Sequence, residues 1–434
     1  MIDRLRRFVF FCLSFFTCYV IFTNIYGSWS TPPPQTKLDR LQTDLFLQAL
    51  SSDWVKQTAG QDIINIFYQN ALQEYQQVKD QSQVIHQVGL LLIKNDRVDQ
   101  ALNLWQQEDE LTAVLKALWQ SPPSALTNGD SLIKQDLNGW YEYFALHRFY
   151  EVARPESLAI LDLQQTIEAE AALFRLIIIN LIPVCGSVIG GGILLFYLIK
   201  LRNPLELDWS IPWNLETLWQ VLVSWFVSYA LIAQFLPQVM RSWLPNSASN
   251  QALIIATTYL VSMVPMIAIF AISFRKFSGW QKVFNLQPIN PRAILWAIGG
   301  YLAAIPLVIT ISLGQQLLLK GHGGGNPLLE IISQNQNKLS VLLFWLTLAV
   351  SAPVFEELLF RGFVFPSLTK YVPHNLSLWL SAILFALVHM NVNDILPLTL
   401  LGVVLGTVYD RSRNIFTPIL LHSLWNTGSF FLCC

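Results

Sequence analysis

Apolar runs of roughly twenty residues recur along this chain, each long enough to cross a hydrocarbon core of about 30 Å as a helix. They read at 8–26, 172–199, 217–239, 252–274, 293–317, 339–369, 375–390, 394–409 and 415–432 of the 434 residues. A bilayer interior offers no water to backbone N–H and C=O groups, so such runs commit the chain to helices that satisfy themselves internally. The fold expected is all-α: a polytopic membrane helix bundle of about 8–9 transmembrane helices with a soluble α-helical N-terminal domain. Charged residues make up 13% of the chain, against about 25% in ordinary soluble domains. That excludes a soluble globule and a disordered chain. A net charge of −1, with no local run of Lys and Arg, excludes nucleic acid as a partner. The lipid bilayer is the partner that composition demands.

Arg4, Arg6 and Arg7 precede the first run. The run is long and no small-x-small site follows it, so an uncleaved anchor over 1–27 is favoured over a signal peptide. With that end inside, Lys200, Arg202, Arg275, Lys276, Lys282, Arg292, Lys370, Arg411 and Arg413 fall in inside loops. The short outside loops hold little beyond Arg241, Lys320 and Lys338. The bias gives an N-in, C-out topology and puts residues 28–171 outside the cytosol, in a bacterial plasma membrane or a thylakoid-type membrane. Trp209, Trp213 and Trp219 follow Pro204, and indoles so placed are expected in the interface. The five cysteines form no Cys-x-x-Cys, so no disulfide framework or zinc knuckle is expected. Cys433-Cys434 reads as an apolar tail ending rather than a lipidation site.

The segment 28–171 differs in kind. It opens with Pro32-Pro33-Pro34, a stiff spacer, and is Gln-rich thereafter. Leu38, Leu41, Leu45 and Ala49, then Ile63, Ile66, Phe67 and Ala71, recur at helical spacing. Pro122-Pro123 and Asn128-Gly129 break it into halves. The stretches 84–89 and 101–105 read as a helix pair faintly resembling a tetratricopeptide unit, but no second copy follows. This helical extracytosolic domain is expected either to bind a protein partner or to serve as a stabilising insert. Residues 172–289 supply additional transmembrane helices, and 290–434 form the final domain.

Ionisable residues inside a membrane cost about 2.5–3.5 kcal/mol each on insertion scales, which makes them functional candidates. The spans hold almost none until the last hundred residues, where Glu356, Glu357, Arg361, His389, His422 and Asn426 come together. Glu357 and Arg361 are four apart and can pair on one helical face. Glu356 is rotated about 100° away and has no partner in its own helix. An unpaired carboxylate in a dry site is what a general base requires. Phe385 and His389, and again His422 and Asn426, are four apart. Together these types suffice for water-mediated peptide hydrolysis, with imidazole and amide donors for the oxyanion. They could equally ligate a divalent metal such as zinc through Glu356, His389 and His422. His-Glu-x-x-His, Gly-x-Ser-x-Gly and the nucleotide-binding glycine motifs are absent. A proton relay would use the same groups, although no inverted repeat supports a transporter. Asp394 and Asp410 read as solvated helix caps, and Gly321–Pro327 as a flexible connection or, less simply, a substrate gate.

Glu-Glu-x-x-x-Arg at 356–361, Phe-x-x-x-His at 385–389 and His-x-x-x-Asn at 422–426, in this order on successive helices, resemble the CAAX protease and bacteriocin-processing family of intramembrane proteases. Phe360-Arg361-Gly362 resembles the family too, and the resemblance covers roughly residues 290–434. It implies an intramembrane endopeptidase in which Glu356 activates water, His389 helps bind that water, and His422 and Asn426 form the oxyanion site. Glu357, Arg361 and Phe385 would support the site. The resemblance leaves a metal open, since the family has been described both as metalloproteases and as glutamic proteases. It implies a membrane protein or peptide substrate, near a lipidated C-terminus in some members. Other members act in immunity or as scaffolds, so a non-catalytic scaffold binding a partner through 28–171 is the alternative. The drawn spans put His389 near the outer end of its helix and Glu356 at mid-helix. Either 375–390 and 394–409 are shorter and more tilted, or the site opens outward.

Overall fold

The computed structural model describes residues 2–30, 35–76, 84–106, 109–124, 126–200, 209–245, 247–277, 280–319 and 337–433. The Pro32–Pro34 spacer and the Gly321–Pro327 loop lie outside the described residues. The chain forms two compact units, residues 35–182 and residues 1–34 with 183–434, and the division falls within a helix spanning Leu158–Lys200. Among the described residues there is no β-strand.

The 35–182 unit is built from short helices, among them Gln35–Ala49, Gln61–Gln76, Ile85–Lys94, Val98–Leu104, Glu110–Trp119 and Gly139–Ala153. Ile85–Lys94 and Val98–Leu104 form a pair around fully buried Trp105, whose indole donates to Ile85 O at 3.1 Å. Gly89 allows that approach, because a Cβ there would lie 2.2 Å from the Trp105 ring. The Gln61–Gln76 helix has two apolar faces. Ile64, Tyr68, Ala71, Leu72 and Tyr75 are buried, whereas Ile63, Ile66 and Phe67 face outward, with Phe67 stacked on Phe46 at 6.0 Å. The helical spacing of Ile63, Ile66 and Phe67 therefore marks the outer stripe. The core goes to the larger tyrosines, which bury more area while their hydroxyls can find partners.

Among the described residues, seven helices are long and apolar enough to cross a membrane: Arg4–Ser30, Pro155–Tyr197, Leu215–Trp243, Ser249–Phe274, Pro291–Leu319, Lys338–Thr369 and Val392–Ser412. Two further apolar helices are His374–Leu387 and Phe416–Cys433. The molecule is a helical membrane bundle. The expected span 375–390 is a helix of only 14 residues, rising roughly 21 Å, short of the hydrocarbon thickness. The next, by contrast, is longer than drawn, at 21 residues.

Two expectations need correction within the membrane unit. Trp213 does not present its indole to headgroups or solvent. It is fully buried, stacks on Phe274 at 4.7 Å and donates to Ser367 Oγ at 2.7 Å. Lys370 Nζ donates to Ile211 O and Trp213 O, so protein partners satisfy a stretch that would otherwise need headgroups or water. Asp410 is not a solvated cap either. It is buried, 3.2 Å from His374 Nε2 and 3.8 Å from the Arg413 guanidinium. Asp394 sits half-buried in the first turn of its helix.

Close helix packing generates a paired test. A Cβ at Gly190 would lie 1.9 Å from the backbone oxygen of Leu302, whereas one at Gly191 meets nothing within 4 Å. Backbone cannot rotate aside, so Gly190→Ala should cost about 1–3 kcal/mol, and Gly191→Ala should be neutral or slightly stabilising. Thermal unfolding in detergent compares the two.

A second test concerns the 35–182 unit. Asp44 accepts from the Tyr75 hydroxyl at 2.5 Å. Burial pushes its carboxyl up to about 6, from about 3.9 in an unfolded chain. The folded form thus binds the proton more tightly, and this stability contribution is present at low pH and lost as pH rises from about 4 to about 6. Unfolding of the full chain across that window should show the loss, and Asp44→Asn should flatten it.

Candidate active site

The helix Lys338–Thr369 carries the two glutamates and is not α-helical throughout. Leu346–Ser351 and Leu358–Val364 are π-helical, with Ala352–Glu357 between them. Pro353 and Pro366 each follow a π-helical stretch closely, and proline removes a backbone donor and crowds the preceding turn. Ala352 N–H bonds to Thr347 O, five residues back. In that register the next donor belongs to Pro353, which has none, leaving Leu348 O without its helical partner. Asn426 Nδ2 donates to that carbonyl at 2.8 Å. At the second stretch, Ser381 Oγ donates to Phe360 O at 3.1 Å. A neighbouring helix thus satisfies the carbonyl that Pro353 leaves open, as membrane burial requires, while Phe360 O also accepts Phe365 N–H.

Glu357 and Arg361 are both fully buried and paired at 2.9 Å. The guanidinium also donates to Gly402 O at 3.1 Å and lies over the Phe385 ring, 4.4 Å from its centroid. Glycine is required at 402, where a Cβ would meet Ala382 Cβ at 2.9 Å. Glu357 Oε1 takes a second donor, His422 Nδ1, at 2.8 Å. A carboxylate paired with arginine only accepts, so the proton of that bond sits on Nδ1.

The opposite nitrogen of His422, Nε2, lies 3.9 Å from Glu356 Oε2. Glu356 Oε1 accepts from the Tyr259 hydroxyl at 3.2 Å, and Tyr229 interacts electrostatically with the same carboxylate. Glu356 keeps 19% of its side-chain surface exposed, against 0% for Glu357. The adjacent glutamates therefore occupy different surroundings, one sealed in an ion pair and one reachable.

Phe385 links the remaining pieces. Its ring meets His389 at 5.0 Å and His422 at 5.7 Å, both edge-on. His389 is exposed at the end of the short helix, and its Nδ1 donates to Phe385 O at 2.8 Å. A carbonyl cannot donate, so Nε2 of the neutral ring is left as the acceptor. Among the described residues, no three His, Cys, Asp or Glu side chains gather closely enough to hold a metal ion. As placed, Glu356, His389 and His422 do not make a ligand set.

Residues 338–428 match the family described as type II CAAX prenyl endopeptidase, Rce1-like. This segment belongs to that CAAX protease family. Three curated relatives are similar to the chain. YdiL of Bacillus subtilis, assigned as a membrane peptidase, is 27% identical over 31% of this chain and 54% of its own length. YxdF of Lactococcus lactis, a UPF0177 protein, is 26% identical over 37% of this chain and 87% of its own. The membrane-embedded CAAX protease MroQ of Staphylococcus aureus is 24% identical over 48% of this chain and 87% of its own. The chain thus spans about half the length of YdiL and most of the other two. No solved structure matches it.

The CAAX protease segment contains Glu356, Glu357, Arg361, Phe385, His389, His422 and Asn426. Tyr229 and Tyr259 lie outside it and escape a search for ionisable groups, because a phenol in an apolar run looks like ordinary span composition. Their signal is a polar oxygen at mid-span, far from Glu216 and Arg241 at the two ends of Leu215–Trp243 and in an Ala248–Phe274 helix that carries no charge.

The buried pair generates the test. Arg361→Ala leaves Glu357 buried without its cation, which costs about 3–5 kcal/mol. Abundance and thermal stability of the purified variant should fall accordingly.

Proposed function

We propose that the chain is an intramembrane endopeptidase that hydrolyses peptide bonds with water activated by Glu356. The observation that carries this reading is that one imidazole spans both glutamates: His422 Nδ1 rests on Glu357 while Nε2 faces Glu356 at 3.9 Å. That separation is too long for a direct hydrogen bond, and water bridges gaps of this kind. Water held at Glu356 loses its proton to the carboxylate as its oxygen attacks the substrate carbonyl. The same proton then passes to the leaving amine as the C–N bond breaks. His389 Nε2 accepts from the water and orients it.

The oxyanion falls to Asn426, whose second amide hydrogen is not the one given to Leu348 O, and to His422 Nε2. His422 donates there when its ring is protonated, a charge that two carboxylates and one guanidinium balance. We assign the substrate as a membrane protein or peptide, with sites near a lipidated C-terminus as the class suggested by the family match and by the relative named a CAAX protease. Residues 28–171 are assigned outside the cytosol from the charge bias.

One observation favours an additional or alternative role as a partner-binding scaffold. Ile63, Ile66 and Phe67 expose an apolar stripe on the 35–182 unit, of a kind that marks protein contacts.

The test compares protein termini in membranes from cells carrying the native chain and cells carrying Glu356→Gln at equal abundance. New termini that require Glu356 are expected, and they name the substrate. A fully active Glu356→Gln variant would sink the mechanism, and identical termini in both membranes would favour the scaffold.

A further inference from the structure

Glu356 has two chemically equal oxygens, and the structure makes them unequal. Oε1 accepts from the Tyr259 hydroxyl at 3.2 Å, whereas Oε2 faces His422 Nε2 at 3.9 Å. We infer that Tyr259 is a positioning residue that fixes Glu356 through Oε1, so that Oε2 is the oxygen that takes the proton from water. The inference rests on the proposed hydrolytic role of Glu356.

The reason is geometric. A glutamate side chain has three rotatable bonds, and a general base must hold its oxygen within hydrogen-bond reach of the proton it removes. Arg361, on the same helix, acts on Glu356 only through space, because its hydrogen bonds go to Glu357 and Gly402 O. The fixed donor to Glu356 comes from the Ala248–Phe274 helix. Tyr259 is itself held in a packed region: Ser262, one turn on, bonds back to Tyr259 O at 2.6 Å, and Tyr229 on the Leu215–Trp243 helix lies close enough to interact with it electrostatically. Tyr259 lies outside the matched segment 338–428, so a helix beyond that segment completes the base.

The substitution that isolates the effect is Tyr259→Phe, which removes one oxygen and leaves the ring. A hydrogen bond to a charged group, once lost, slows the chemical step by roughly ten- to hundredfold. Using a cleaved peptide identified by the Glu356-dependent termini, kcat should fall by that factor with KM, abundance and thermal stability unchanged. A merely structural tyrosine would instead lower abundance or stability and leave kcat per folded molecule intact, which overturns the inference. If Glu356→Gln is inactive while Tyr259→Phe keeps full kcat, the inference fails and the hydrolytic reading stands.

A readout that needs no turnover separates the two further. The carboxyl infrared band of Glu356 is assigned as the one lost in Glu356→Gln. It should shift in Tyr259→Phe, because the hydrogen bond to one oxygen is gone. An unmoved band overturns the inference, whatever the activity.

Discussion

The ion pair between Glu357 and Arg361 is the interaction on which the rest of the membrane unit's chemistry depends. Two opposite charges with almost no exposed surface are stable in an apolar interior only when each is paired and hydrogen-bonded. Here the pairing reaches across helices. Arg361 binds Gly402 O on Val392–Ser412 and covers Phe385 on His374–Leu387, while Glu357 holds His422 on Phe416–Cys433. One local pair, four residues apart, thereby sets the positions of three other helices. It also fixes which nitrogen of His422 carries a proton toward Glu357 and which one faces Glu356. Two neighbouring carboxylates diverge in role because their surroundings differ, as in other paired-carboxylate sites.

Backbone irregularity is the second device. In any helical register Pro353 and Pro366 lack the N–H that one preceding carbonyl needs. The π-helical stretch ahead of Pro353 leaves Leu348 O open, and Asn426 closes it from another helix, while Ser381 gives Phe360 O a second donor beside Phe365 N–H. Polar side chains that alone would serve as generic glue between helices therefore have specific addresses. Such π turns concentrate at functional sites, and here they bracket the six residues that end in the two glutamates.

Much of this was legible in the sequence, and what was not has a common cause. The i,i+4 rule finds Glu357 with Arg361 within one helix and Phe385 with His389 at a helix end, and neither needs knowledge of neighbours, whereas His422 and Asn426 take their partners, Glu357 and Leu348 O, from another helix. Glu356 reads correctly as lacking a partner on its own helix, but its actual donor, Tyr259, sits 97 positions earlier in the chain, and only tertiary packing brings it near. The same limit explains Trp213 and Asp410. An indole after a proline and an aspartate at a helix end look solvated until Ser367 and His374 are placed beside them. In Gln61–Gln76 the period is legible but the sealed face is not, since the helix carries two apolar stripes and only packing decides which is buried.

The order of exposure across the site says how chemistry with water can proceed among apolar helices. His389 is open, Glu356 is partly open, His422 is nearly closed, and Glu357 and Arg361 are shut. The charges that must not lose their partners are deepest, where the low dielectric strengthens their attraction. The group assigned to proton transfer lies nearer the opening, where water can reach it without breaching the pair. The His374–Leu387 helix ends after 14 residues, and His389, just past that end, is the most exposed group of the set. Reactive and structural charges are thus separated by exposure within one set of helices, and water can reach Glu356 without loosening the ion pair beside it.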